Sequence, residues 1–166
     1  MPSKASELET DIQVIPVADA FGLRRFVLRP MLPAEASHYE FDDHPAALHL
    51  GAFGDLGTGR ELVGVVSFLP RSERGEASES AYELQAMVTL PAVRNSGIGA
   101  RLARNGIAVL EGRGAARVWC NGRSPARSFY ERLGFRVVGD EFVTPGTGPH
   151  YRFVKDLGGE SSVESA

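Results

Sequence analysis

Residues 94–99, Arg94-Asn95-Ser96-Gly97-Ile98-Gly99, lie between a strand-like run, Tyr82 to Leu90, and a helix-like run, Ile98 to Leu110. A glycine-rich turn at a helix start gathers free backbone N–H groups at the positive end of the helix dipole, which is chemistry for holding a phosphate. A nucleotide P-loop would close on Gly-Lys-Ser/Thr to reach the terminal phosphates and the metal; here Gly99 is followed by Ala100 and Arg101. A dinucleotide fingerprint would place a third glycine where Leu102 stands. Both nucleotide patterns fail. A phosphate-bearing ligand of another kind remains, beside the plain alternative that Gly97 and Gly99 open a helix and serve its packing.

The elements that must position this turn read as a mixed α/β domain. Asp11–Val17 alternates loosely as a first strand, and Ala18–Arg29 clusters Phe21, Leu23, Phe26, Val27 and Leu28 as a helix stopped at Pro30. Pro33–Pro45 is polar and irregular, a loop over a site or edge. Ala47–Phe53 and Glu61–Leu69 flank the turn formers Gly54–Arg60 as a hairpin. Pro70–Ser80 is a charged, solvated connection. Ala81–Leu90 is a third strong strand, with Tyr82, Leu84, Ala86, Val88 and Leu90 on one face and Glu83, Gln85, Met87 and Thr89 on the other. The following helix ends at Gly112 or Gly114, and Ala116–Cys120 is a short buried strand. Ser124 as N-cap and Pro125 at the first position open a helix that Gly134 stops. Phe135–Val138 and Tyr151–Val154 are the last strands, around Gly139–His150. Residues 1–10 and 158–166 read as frayed ends, which leaves 11–157 as one domain.

The run from Met87 through Arg94-Asn95-Ser96-Gly97-Ile98-Gly99 to Leu102 carries Arg-x-x-Gly-x-Gly after a strand. It resembles the core motif of the GNAT superfamily of N-acetyltransferases. Asn121 after a strand, then Ala126, Phe129-Tyr130 and Leu133-Gly134-Phe135, resemble the later motif of the same family, in the right order. The resemblance covers roughly Tyr82 to Phe135, about a third of the chain. It implies a mixed, mostly antiparallel central sheet with helices on both faces and a splay between strands 4 and 5. It also implies acetyl-CoA as co-substrate: backbone amides of Arg94, Asn95, Ser96, Gly97, Ile98, Gly99 and Ala100 around its pyrophosphate, Met87, Val88 and Thr89 paired with the pantetheine arm as an added strand would be, and Asn121 bonded to that arm.

Acetyl transfer to an amine needs a neutral nucleophile, a donor for the thioester oxygen and a proton for the leaving thiolate. The resemblance places Tyr130 at the family's general-acid tyrosine; an amphipathic packing tyrosine is the other reading. Glu83 is the candidate base, since many family members use a strand carboxylate; it also suits an exposed position on a half-solvated face. His150, in Gly148-Pro149-His150-Tyr151, matches a Pro-His pair that some branches turn toward the acceptor, and equally suits a strand edge without a role. Arg101 and Arg104 either meet the 3′-phosphate or coat their helix, and coating is preferred. His49 reads as a half-buried structural histidine. His38, His44, Asp42 and Asp43 form a loop charge cluster, and no metal is expected.

Composition bounds the rest. Of 166 residues 43% are hydrophobic and 23% charged, ordinary for a globular protein, and the net charge of −3 gives no bulk pull toward nucleic acid or anionic membrane. No apolar run approaches membrane-spanning length, and the opening MPSKASELETD lacks the apolar segment of a secretory signal. The single cysteine, Cys120, excludes an intrachain disulfide and fits a reducing cytoplasm. The expectation is a cytoplasmic N-acetyltransferase acting by direct attack of a small-molecule or peptide amine in a ternary complex, a homodimer on family grounds. Its acceptor pocket would be built by Arg29–Pro45, Gly54–Arg60 and Gly139–His150. A non-catalytic acyl-CoA-binding sensor is the alternative, separated by turnover.

Overall fold

A computed structural model describes residues 8–28, 31 and 37–158. Seven strands hydrogen-bond in the order β1-β2-β3-β4-β5-β7-β6. They are β1 (Asp11–Val14), β2 (Leu48–Asp55), β3 (Arg60–Leu69), β4 (Ala81–Thr89), β5 (Arg117–Arg123), β6 (Arg136–Thr144) and β7 (Gly148–Asp156). The sheet is mostly antiparallel, and β4–β5 is a parallel pair. The helices are α1 (Val17–Leu28), α2 (Ile98–Gly112) and α3 (Arg127–Arg132). No helix among the described residues is long and apolar enough to cross a membrane. The chain forms two compact units: the described residues up to Leu69 with Gln85–Gly106, and Pro70–Leu84 with the described residues from Ile107 on.

In the first unit β3 is covered on both faces, which is why its last seven residues are all buried. One face meets α1, where Ala20 and Leu23 pack with Ile15, Val65 and Val88. The other meets α2, where Ile98 and Leu102 lie over Gly64 and where Gly106 lies on Phe68. Gly106 is there for space. A Cβ at this position would stand 2.0 Å from Phe68 Cε1 and 2.4 Å from Cζ. Phe68 is fully buried and has nowhere to swing. Gly106→Ala gains about 1 kcal/mol of helix propensity. Overpacking here is expected to exceed that gain, for a net loss of roughly 1–2 kcal/mol, read as a lower urea midpoint. An alanine variant as stable as the parent would show that α2 can ride further from β3.

Several expected boundaries move. Val17 belongs to α1 rather than to the first strand, and β5 runs on through Asn121 to Arg123. Gly139–His150 is not an open loop: β6 and β7 form a long hairpin that pairs Phe142 with His150 and Thr144 with Gly148. Ser124 does not cap α3. It starts a 3₁₀ turn, Ser124–Ala126, without a side-chain cap, and its hydroxyl donates to Glu141 (2.6 Å). In the Arg29–Pro45 segment, residues 29–30 and 32–36 lie outside the described residues, as do 1–7 and 159–166 of the two ends.

The 37–44 segment corrects the expectation of solvated loop acids. Asp42 is 2% exposed and takes two bonds from Arg24, itself 1% exposed. Arg24 also donates to Ser37 O (2.7 Å) and Ser67 Oγ (2.7 Å). Ser67 in turn meets His49 Nδ1 (2.7 Å), and His49 Nε2 reaches Asp42 O (3.0 Å). A carbonyl only accepts, so Nε2 carries the hydrogen and Nδ1 accepts from the serine. His49 is thus structural, as expected, and this Ser–His–Asp grouping holds no nucleophile: Ser67 is fully buried and already accepts from Arg24.

Candidate active site

The glycine-rich turn lies in the first unit. Pro91–Val93 forms a 3₁₀ turn after β4, and α2 begins at Ile98. Between them Asn95 (φ 62°) and Gly97 (φ 87°) take left-handed conformations. Gly97 is the residue type that does so without steric cost, and a Cβ there would meet nothing within 4 Å, so the space before it is open. Going into α2, Arg101 is the first residue whose N–H finds a backbone carbonyl, Gly97 O at 3.0 Å. Among the described residues the amides of Asn95 to Ala100 have no backbone acceptor, as at a helix start, and the Ser96 hydroxyl braces the turn by donating to Val93 O. Arg101 does more than coat its helix: its guanidinium holds Thr10, with Nη2 on the carbonyl at 3.2 Å.

Before the turn, β4 breaks its alternation. Ala86 has φ 54°, a conformation costing roughly 1–2 kcal/mol for a residue with a Cβ. Beyond it Val88 joins the core under α1, while Thr89 lies by Gly64, Ile98 and Leu102 on the α2 side. The single two-face pattern expected for Ala81–Leu90 therefore does not run through the strand.

The candidate ionisable groups Glu83, Tyr130 and His150 lie in the second unit. The β4–β5 ladder pairs Ala81 with Arg117, Tyr82 with Val118 and Glu83 with Trp119. On the far side of β5, Trp119 opposes Val154 and Asn121 opposes Arg152. Glu83, Trp119, Asn121 and Arg152 thus share one face. Glu83 is 4% exposed, which overturns the half-solvated reading. Its Oε1 accepts from Arg71 Nη1 at 2.9 Å. Burial pushes the carboxyl above the usual range, while the Arg71 bond and charge, and the charge of Arg152, pull it back. Asn121 is exposed, and its Oδ1 accepts from Arg152 Nε (2.6 Å). Arg152 also lies over the Trp119 ring, 4.5 Å from its centre.

Tyr130 sits on the opposite face of β5, on α3. Its ring stacks on Phe153 (4.6 Å between centres) and meets Phe135 edge-on at 5.7 Å. Gly134 (φ 96°) ends α3 so that Phe135 N–H returns to Tyr130 O (3.0 Å). Gly122 gives the ring room, since a Cβ there would be 2.6 Å from Tyr130 Cε2. Burial raises the phenol well above its ordinary value, and the neighbouring Cys120 thiol adds to the shift. Burial likewise pushes the Cys120 thiol up to about 12, so it is inert as a nucleophile.

His150 is buried on β7, with Nδ1 donating to Gly148 O (2.8 Å) and the ring stacked on Phe142. Sequence reasoning missed Arg71, Arg152 and Gly122. Arg71 had no signal in the charged run PRSERGEASES; the others needed the strand register. Among the described residues no group of three or more His, Cys, Asp or Glu could hold a metal ion.

The acetyltransferase (GNAT) family model matches residues 19–135, which spans α1 through α3 and both motifs. The chain belongs to the acetyltransferase (GNAT) family. It is 34% identical over 147 residues to the uncharacterized N-acetyltransferase YitI of Bacillus subtilis (strain 168), across 89% of this chain and 96% of that protein. Solved GNAT structures share the fold. The Escherichia coli GNAT family N-acetyltransferase YhbS in complex with CoA superposes with a TM-score of 0.69 at 24% identity, over 97% of this chain and 86% of that one. An aminoglycoside 6′-N-acetyltransferase complexed with coenzyme A gives a TM-score of 0.67 at 19% identity, over 88% and 96% of the two chains. As a GNAT protein the chain is an acyltransferase by family.

Proposed function

We propose that this GNAT protein transfers an acetyl group from acetyl-CoA to an amine of a small molecule or peptide, by direct attack in a ternary complex. The observation that carries the reading is the Asn95–Ala100 turn, whose amides are free of backbone partners up to Arg101 and which opens on empty space at Gly97. A pyrophosphate fits such a cradle: it supplies the anion that free N–H groups and a helix dipole favour. Met87, Val88 and Thr89 offer strand backbone to the pantetheine arm, and Asn121 a side-chain amide. When bound, acetyl-CoA supplies the activated acyl group. Glu83 takes the proton of the acceptor amine, directly or through water, and a carboxyl raised by burial is better matched to that task than an ordinary one. Tyr130 stays protonated, because burial raises its phenol, and it gives the proton the leaving thiolate needs. His150, with Nδ1 held by Gly148 O, keeps Nε2 for relaying a proton from the acceptor. A cytoplasmic homodimer is part of the same reading.

Two measurements test it. Acetyl-CoA at about a hundred times its Kd should stabilise the fold by about 2.7 kcal/mol, seen as a raised melting temperature. No stabilisation would remove the CoA site altogether. Free thiol is then followed with acetyl-CoA and a panel of kanamycin, spermidine and lysine-bearing or free-N-terminus tripeptides. Release above the amine-free rate supports transfer. Stabilisation without release across the panel supports the sensor alternative.

A further inference from the structure

The connection from Pro70 to Ser80 reads from sequence as solvated chain. In the structure it is a built turn belonging to the same unit as Glu83. Ser72 N–H bonds Glu76 O (2.7 Å), Gly75 N–H bonds Ser72 O (2.8 Å), and Ser78 N–H bonds Pro70 O (3.0 Å). Arg71 bridges Ala77, and its carbonyl accepts the Trp119 indole N–H at 2.8 Å. Glu73 on the same turn pairs with Arg117 (2.8 Å). Main-chain bonds and the Trp119 contact therefore fix where Arg71 starts, independently of its own side chain.

From there the Arg71 guanidinium reaches Glu83. Its side chain is 34% exposed while that of Glu83 is 5% exposed, so the pair spans from water into the covered sheet face. Among the described residues Arg71 Nε is buried without an acceptor. An unmade bond of that kind opposes folding, so hydrogen-bond satisfaction does not account for the placement of this group. What the placement does is set one charge against one carboxylate.

We propose that Arg71 is a positioning residue for acetyl transfer, holding the Glu83 carboxylate in one orientation and balancing its charge on the covered face of the sheet. The proposal rests on Glu83 as the base. Without a cation the buried carboxyl would hold its proton to higher pH and would enter the reaction already protonated. The charged groups acting on Glu83 are Arg71 from the turn and Arg152 from β7; Trp119 of β5 lies beside it on the same face, and the Cys120 thiol is on the other face of β5. Arg152 acts by charge alone; Arg71 adds a direct bond.

The test is carbon NMR of the full chain labelled at the glutamate carboxyls, with the Glu83 signal assigned as the one missing from Glu83→Gln. In Arg71→Met the titration midpoint of Glu83 should rise by about one unit or more, roughly a tenfold gain in proton affinity, and Arg71→Lys should restore most of it. A midpoint unmoved in Arg71→Met overturns the proposal. Arg71→Gln, which also removes the charge, reads the same quantity if methionine there impairs folding. The pH–rate profile for the fastest amine of the panel separates the underlying reading: its acidic limb should track the NMR midpoint across the variants and vanish in Glu83→Gln. A midpoint that moves while the limb stays fixed overturns Glu83 as base, and the role of Arg71 in catalysis with it.

Discussion

Replacing Arg24 with leucine is expected to cost about 3–5 kcal/mol of folding stability, the largest single effect outside the active site. The guanidinium is almost wholly buried and bonds both Asp42 oxygens at 2.7 and 2.9 Å, Ser37 O and Ser67 Oγ. Its plane lies 4.8 Å from the centre of the Tyr39 ring and 5.6 Å from that of Phe21. Leucine fills part of the volume but leaves the Asp42 carboxylate buried with the Tyr39 N–H (2.7 Å) as its remaining donor among the described residues. The cost is that of an uncompensated charge rather than of a lost attraction. The double variant Arg24→Leu/Asp42→Leu should therefore recover much of the loss, since removing both charges removes the desolvation that each imposes. Urea denaturation of the two variants decides it. A single variant less than about 1 kcal/mol below the parent would refute the argument.

The same cluster sets an acid limit. Burial, with the Arg24 charge, lowers the His49 pKa, against an opposing bond to and charge from Asp42. A histidine depressed in the folded state contributes stability that is complete above its unfolded value of about 6.5 and is lost as pH falls below it. Stability should decline below that pH, and less steeply in Arg24→Leu, where one cause of the depression is gone.

Tyr130→Phe is expected to lower kcat by about a hundredfold or more while leaving CoA affinity nearly unchanged. The phenol sits among Phe129, Phe135 and Phe153, so phenylalanine keeps the packing and loses only the hydroxyl. Removing that hydroxyl should cost about 1 kcal/mol of stability or less, too little to unfold the chain. Thiol-release kinetics and calorimetric titration with CoA give the two readouts. Gly122→Ala makes the complementary test: its Cβ would press within 2.6 Å of the ring, so the hydroxyl is displaced rather than deleted, and kcat should fall again. Full activity in Tyr130→Phe would leave the tyrosine as packing and remove it from the reaction.

The turn before α2 was local and therefore legible. Free amides at Asn95–Ala100 follow from a glycine turn opening a helix, and that geometry is written within a few residues. The α2 and α3 helices, the β2–β3 hairpin and the Gly134 stop obey short-range rules of the same kind. The β6–β7 hairpin was read short because β6 is mostly exposed and carries little apolar periodicity. Properties set by distant partners did not show. Glu83 looks like any strand glutamate until Arg71 arrives from twelve residues earlier and β5 covers its flank. Asp42 looks like a loop acid until a helical arginine eighteen residues away neutralises it. Gly106 looks like a weak helix position until Phe68 is seen beneath it. Ala86 in a left-handed conformation breaks an alternation that the residue types favour, because strand pairing overrides local preference. Residue order carried the family and the glycine turn that opens α2. Burial, charge pairing and protonation were decided only when the chain closed on itself, because each depends on what surrounds a group in space and not on its neighbours along the chain.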